Sequence, residues 1–389
     1  MAIPLFLLLS CKSSDELTSN KLSYDDSVLD QEQYIGKMFW QQQPPGAAMD
    51  VFAADVYVIL RGSTAAQNDP QLQLSSTRTR TIKTGINRLQ EVEINGGIPT
   101  GVIINSEFAV DPSQYRFIIK NIENLTNSPF QDSSVNVNSK NWITFISDRT
   151  GTYEIFYMDT ADRVLHQLTP INGNYAGPNF DPGWKTDDTI IFSNDGDRII
   201  EVNIFTKQVS KVSIEEITGK MYDPKYSPDG TKLLFSAWVK GKKNGYLKNL
   251  VSGSLNHVLP DQYFANRDDN PTWLFSNTRI TGHFFYPAKN GRIYIKDGAT
   301  DFSVITPADK DFRYVTPVEV FGTIFLVFSD WSQGELKSLL WIANESGSIL
   351  RPLNQGGDEA VFIFLNLPIP RTKHELEQTA KIYNGRFRE

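Results

Sequence analysis

A single cysteine, Cys11, in 389 residues leaves no intramolecular disulfide to staple the fold and no thiol pair for a metal. The four histidines, His166, His257, His283 and His374, are far apart, and none forms the His-x-x-x-His spacing of a helical zinc site. No G-x-S-x-G elbow is present, so a serine hydrolase of that type has no nucleophile here. A basic run interleaved with aromatics is also missing. The net charge of -7 tells against nucleic acid as a partner, because phosphate neutralisation needs a cationic surface. No stretch approaches the ~20 apolar residues that a membrane-spanning helix requires. Ile3 to Leu9 is short and broken by Pro4. Carboxylates are abundant, so pairs of them carry little information by themselves. No catalytic set, metal cluster or cofactor motif emerges.

What the chain does have is aromatics at 12%, with 26 glycines and 20 prolines. That mixture suits many short strands joined by tight turns. The strongest pattern is internal repetition. Ile143–Ser147, Ile190–Ser193, Leu233–Ser236 and Phe325–Ser329 are each an apolar run ending in serine, and Ile280-Thr281-Gly282-His283 fills the gap between the last two. The anchors 147, 193, 236, 283 and 329 lie 46, 43, 47 and 46 residues apart, the length of one four-stranded propeller blade. Within a period, Tyr222 to Ser236 reads as strand, Pro-Asp-Gly turn and strand, and Asn141 to Thr169 as three strands with turns at Gly151 and Ala161-Asp162.

These segments resemble the TolB-like repeat, whose pattern runs roughly W-S-P-D-G, I-A-F-x-S-x-R-x-G, I-Y-x-M-D and L-T. Residues 130–260 are similar to it throughout, 261–355 loosely and 31–127 poorly. The expected fold is therefore an all-β propeller over residues 128–365, a ring of six or seven blades with five plainly visible. Residues 31–127 form either divergent blades, with anchors carried back to Ser106 and Ser63, or a separate N-terminal β-domain. Val361–Leu365 is expected to close the ring, because a ring must hide its two edges. Residues 366–389 form a tail with a short helix from His374 to Tyr383.

Leu8-Leu9-Ser10-Cys11 resembles a bacterial lipobox. Residues 1–11 then read as a lipoprotein signal and Cys11 as the lipidated residue. No Lys or Arg precedes the apolar run, which leaves open a start further upstream. Residues 12–30 are polar and read as a flexible tether. The resemblance implies a monomer in the cell envelope, held by lipid and most simply at the outer membrane.

A binding role is expected for one rim of the ring. The residue two after each anchor falls at the turn between the second and third strands: Arg149, Asp195, Trp238, Phe285 and Trp331. The connections between blades add Tyr175, Tyr263 and Phe264. Aromatic and Arg side chains gathered on one face are what protein interfaces use, although rings packed between blades would give the same pattern. The resemblance implies a non-enzymatic protein whose rim binds an envelope protein or a cell-wall component. The alternative is a propeller enzyme acting on polysaccharide, of lyase or glycosidase type. His166 and His257 are expected in outermost strands, without chemistry.

Overall fold

The apolar runs are short, β-branched and aromatic, and turn residues separate them, so each forms a strand and none a helix. The computed structural model describes residues 32–60, 94–95, 98–99, 115–259, 268–285, 290–298, 301–320, 323–334, 337–348 and 350–364. Among these the strands form six four-stranded antiparallel sheets, the blades of a β-propeller.

Blade 1 comprises β6 (Asp132–Val137), β7 (Trp142–Ser147), β8 (Glu154–Asp159) and β9 (Leu165–Gln167). Blade 2 comprises β10 (Asn179–Thr186), β11 (Thr189–Asn194), β12 (Arg198–Asn203) and β13 (Val209–Val212). Blade 3 follows with β14 (Met221–Tyr226), β15 (Lys232–Val239), β16 (Lys242–Asn249) and β17 (Leu255–His257). Blade 4 has β18 (Asp268–Trp273), β19 (Arg279–Phe285), β20 (Gly291–Asp297) and β21 (Asp301–Val304), and blade 5 has β22 (Phe312–Val320), β23 (Thr323–Asp330), β24 (Leu339–Asn344) and β25 (Leu350–Gly356). The sixth blade closes the ring. Its inner strand is β26 (Asp358–Phe364), followed outward by β1 (Glu32–Gln42), β2 (Asp50–Leu60) and β5 (Tyr115–Asn124). A two-residue hairpin, β3 (Ile94–Asn95) with β4 (Ile98–Pro99), lies in sequence between β2 and β5.

The ring thus has six blades. The expected closing strand is β26, which pairs with β1 from Gly36↔Phe364 to Gln41↔Asp358. The anchor does not extend backward at its own period, because Leu60 ends the third strand of the closing blade. Its second strand instead ends near Gln41, which pairs with Asp358 as Ser236 pairs with Tyr222. Ser63, Ser106 and the segment His374–Tyr383 lie outside the described residues.

Both faces of each middle strand are buried, which explains why these strands read as unbroken apolar runs. Alternate residues serve the two neighbouring blades. Phe192 packs with Ile146 and Tyr157 of blade 1, whereas its neighbour Ile191 packs with Leu233 and Phe235 of blade 3. In the closing blade Met38 and Trp40 meet Val318, Phe325 and Ile342 of blade 5, and Phe39 meets Val135 and Phe145 of blade 1. Each blade-to-blade seam is a separate apolar cluster.

Polar groups stitch the seams. Glu154, only 2% exposed, accepts from the Gly177 N–H at 2.8 Å and from Asn179 Nδ2 at 2.6 Å, and Asn194 Nδ2 donates to Asn179 Oδ1 at 2.8 Å. Glu201 takes both Lys185 Nζ contacts, at 3.0 and 2.9 Å, plus the hydroxyls of Ser210 and Tyr226 across the next seam. Such fully paired buried carboxylates hold register, whereas an unpaired one would cost several kcal/mol.

Candidate functional site at the channel mouth

Every inner strand carries the same irregularity near its start. Register slips between Ser133 and Asn136, Phe180 and Gly183, Tyr222 and Lys225, Asp269 and Thr272, and Arg313 and Thr316. A sixth slip lies in the β26–β1 pairing. At each bulge one non-glycine residue adopts a left-handed φ: Ser134 (54°), Asp181 (50°), Asp223 (56°), Asn270 (62°), Tyr314 (53°) and Glu359 (46°). Asp and Asn tolerate this region best, and bulges re-aim side chains. All six line one narrow cavity of about 60 Å³ on the ring axis, together with Asn136, Lys225 and Thr316.

The bulge N–H groups need partners, and side chains supply them. Gln41 Oε1 accepts from Ser134 N–H at 2.6 Å, Ser236 Oγ from Asn270 N–H at 3.3 Å and His283 Nδ1 from Tyr314 N–H at 3.3 Å. In these three cases the acceptor belongs to the preceding blade. Asp181 accepts from Asp223 N–H at 3.2 Å, again across a seam.

The cavity is charged. Asp181, Asp223 and Glu359 face Lys225, with Lys243 bonded to Asp223 at 3.2 Å and Lys225 donating to Asn270 Oδ1. Burial, and then the Asp223 charge, push the Asp181 carboxyl up to about 7, against the opposing pull of Lys243 and Lys225. Burial and the neighbouring Asp358, Asp181 and Asp223 raise Glu359 well above the usual carboxylate range. Burial lowers the Lys225 ammonium, although the three carboxylates oppose it. Such a group can bind, or exchange a proton, near neutral pH. Among the described residues no set of three or more His, Cys, Asp and Glu is placed to hold a metal ion.

The sequence-predicted rim residues divide. Phe285 and Trp331 converge on one guanidinium: Arg313 lies 5.1 Å from the Phe285 ring centroid and 4.3 Å from that of Trp331. Asp311 grips Arg313 from the side at 3.0 and 2.7 Å. Burial would lower the Arg313 pKa, yet this carboxylate raises it. Tyr314, which lines the cavity, packs on both Trp331 (5.7 Å) and His283 (5.4 Å), so the aromatic cluster and the channel mouth are continuous.

Other members stand elsewhere. Arg149 turns inward, with Nη2 on Asp132 at 2.9 and 3.0 Å, Nε on Ser147 at 2.8 Å and its guanidinium over Phe156. Trp238 lies within β15 opposite Lys243 and is 41% exposed. Phe285 is likewise a strand residue, the last of β19. Tyr175 packs at the blade 1–blade 2 seam. Tyr263, Phe264 and Cys11 lie outside the described residues. His166 and His257 sit in the outermost strands, the first stacked on Tyr157 and the second tilted against Tyr246. The channel acids escaped the sequence reading, which discounted carboxylates. Their signal is the recurring Asp181-Pro182, Asp223-Pro224 and Asn270-Pro271 pair, spaced 42 and 47 residues apart.

The ring and its regularly bulged inner strands define a six-bladed propeller of the TolB kind. Among solved structures the chain is similar to TolB from Acinetobacter baumannii, with TM-score 0.56 and 16% identity over 84% of this chain. It spans 66% of that protein, just under two thirds. A protein assigned as TolB from Agrobacterium tumefaciens gives TM-score 0.51 and 12% identity, over 64% of this chain and 95% of that one. These likenesses establish the fold. No family model and no curated protein matches the chain.

Proposed function

We propose that this chain is a non-enzymatic envelope protein, lipid-anchored through Cys11 at the outer membrane, whose rim around the channel mouth binds a protein partner. The supporting observation is the continuity of the charged mouth with the Arg313–Phe285–Trp331 cluster. Arg and Trp are the residues that dominate interface energetics, and a clamped guanidinium loses little entropy on docking.

The test compares envelope proteins recovered by purified wild type and by Phe285→Ala/Trp331→Ala. The double variant is expected to lose at least about tenfold in affinity for the main partner, since hot-spot truncations cost ~2 kcal/mol or more. Equal recovery by a variant with unchanged thermal unfolding would sink the rim reading. For the anchor, Cys11→Ala is expected to move the expressed protein from the detergent to the aqueous phase. Retention in detergent would overturn lipidation.

A second reading, a propeller enzyme acting on polysaccharide, has one observation in its favour. Asp181, raised to about 7 in a channel, is suited to general acid–base work.

A further inference from the structure

A second cavity, of about 250 Å³, opens beside the mouth, where blade 5 meets the closing blade. Its walls are Gln41, Gln42 and Gln43 at the end of β1, Lys337 and Ser338 ahead of β24, and the Gly356-Gly357-Asp358 link into β26, with Met49 and Leu339 on the sides. The volume lies below the ~300 Å³ at which sites for drug-sized ligands begin, so it suits one small ring.

The polar groups are held by the fold, yet several keep a free valence. Gln41 Oε1 is taken by Ser134 N–H at 2.6 Å. Gln42 Oε1 accepts from Trp40 Nε1 at 3.2 Å and Gln355 Nε2 at 3.4 Å. Gln43 Nε2 donates to the Ala47 carbonyl at 2.9 Å. These bonds fix each amide's orientation and leave Gln41 Nε2, Gln42 Nε2 and Gln43 Oε1 without a partner among the described residues. Lys337 Nζ has none there either. Asp358, 3% exposed, adds one carboxylate to a lining with one lysine, and its Oδ1 accepts from the Glu359 N–H at 3.0 Å. Leu339, 44% exposed, and Met49 provide apolar surface. The link itself is sterically fixed: at Gly357 a Cβ would fall 2.2 Å from Trp40 Cδ1, so the backbone stays close to β1.

Oriented amides that offer both donors and acceptors, balanced charge and a small apolar wall match a ligand whose hydroxyls donate and accept and whose C–H face is apolar. We propose that this pocket binds a single neutral pyranose, one sugar residue of a glycan. The site is separate from the protein-binding rim: it shares neither Arg313, Phe285 nor Trp331, and it stands or falls independently of that reading.

The experiment uses the folded chain and N-acetylglucosamine, glucose and galacturonic acid as probes, read by saturation-transfer NMR and calorimetry. A neutral sugar is expected to bind saturably with a Kd of about a millimolar, the level reached by one small polar ligand. Gln42→Leu and Lys337→Ala should each weaken it about tenfold. The leucine also removes the acceptor of Trp40 Nε1 and lowers the thermal unfolding temperature, whereas Lys337→Ala unfolds as the wild type does and keeps the test clean. Phe285→Ala/Trp331→Ala should bind the sugar as wild type does. Absence of saturable binding, equal affinity in Gln42→Leu and Lys337→Ala, or tighter binding of galacturonic acid would each overturn the proposal.

Discussion

A chain ending at residue 357 is expected to lose its cooperative unfolding transition, whereas a chain ending at residue 364 keeps it. The shorter chain lacks only β26 relative to the longer one, so the pair isolates the closing strand. Without β26, the inner edge of β1 from Gly36 to Gln41 has no partner, and a bare strand edge invites other chains. Ala360 is packed in the seam with blade 5, and Phe362 and Val361 line the two seams of the closing blade. Losing the Ala360 methyl at ~0.8 kcal/mol and the partly buried Val361 and Phe362 at up to ~1.5–3 kcal/mol each, plus the ladder, removes a large part of the ~5–15 kcal/mol stability of a typical domain. Thermal unfolding followed by circular dichroism reads the result, and a synthetic peptide of residues 358–364 added in trans should restore part of the transition. A transition in the shorter chain within a few degrees of the longer one's would show that the ring does not depend on this strand.

That dependence also explains what could and could not be read beforehand. Five blades were legible because each is contiguous in sequence and its second strand carries an anchor at or near its end. The anchor has a physical role, since Ser236 and His283 accept the bulge N–H of the following blade. Spacing alone misplaced the first one: Ile146, not Ser147, pairs beside the bulge of its blade, and Ser147 instead accepts from Arg149 Nε. The sixth blade was hidden because its inner strand is more than three hundred residues from its neighbours, and because Gln41 replaces serine as the acceptor. Among the described residues no further four-stranded sheet remains for a seventh blade, since β1, β2 and β5 complete the sixth.

The cluster around Arg313 was legible in part for a similar reason. Phe285 and Trp331 were named as rim candidates by counting from the anchor, but Arg313, the group they enclose, lies on β22, the inner strand of blade 5, one blade on from Phe285. Counting along one strand cannot show a contact between two blades. Arg149 obeyed the count and still failed to join the cluster, because the buried Asp132 carboxylate holds it inward.

Raising the pH from 5 to 8 is expected to destabilise the wild type, and Asp181→Asn should remove the share of that loss that Asp181 carries. In the unfolded chain the Asp181 carboxyl titrates at its ordinary 3.8, whereas in the channel it titrates at about 7. Between these values the folded protein holds a proton that the unfolded chain has released, so the stability supplied by the neutral carboxyl is full below pH 4 and falls as pH climbs through 7. Glu359, also raised, acts in the same direction. Lys225 acts oppositely: its depressed ammonium favours the folded state only as pH approaches the ordinary lysine value. Over the range from pH 5 to 8 the loss runs across about two pKa units, from 5 to 7, which corresponds to on the order of 2–3 kcal/mol at ~1.4 kcal/mol per unit. Asparagine keeps an oxygen for the Asp223 N–H and carries no charge, so the variant should match the wild type at pH 5 and exceed it at pH 8. Urea unfolding at the two pH values reads the difference. An equal fall in both proteins would mean that Asp181 ionises freely in the channel. The same variant separates the functional readings, because a polysaccharide enzyme using Asp181 as its acid would lose turnover while gaining stability, and a binding rim centred on Arg313 would keep its partner.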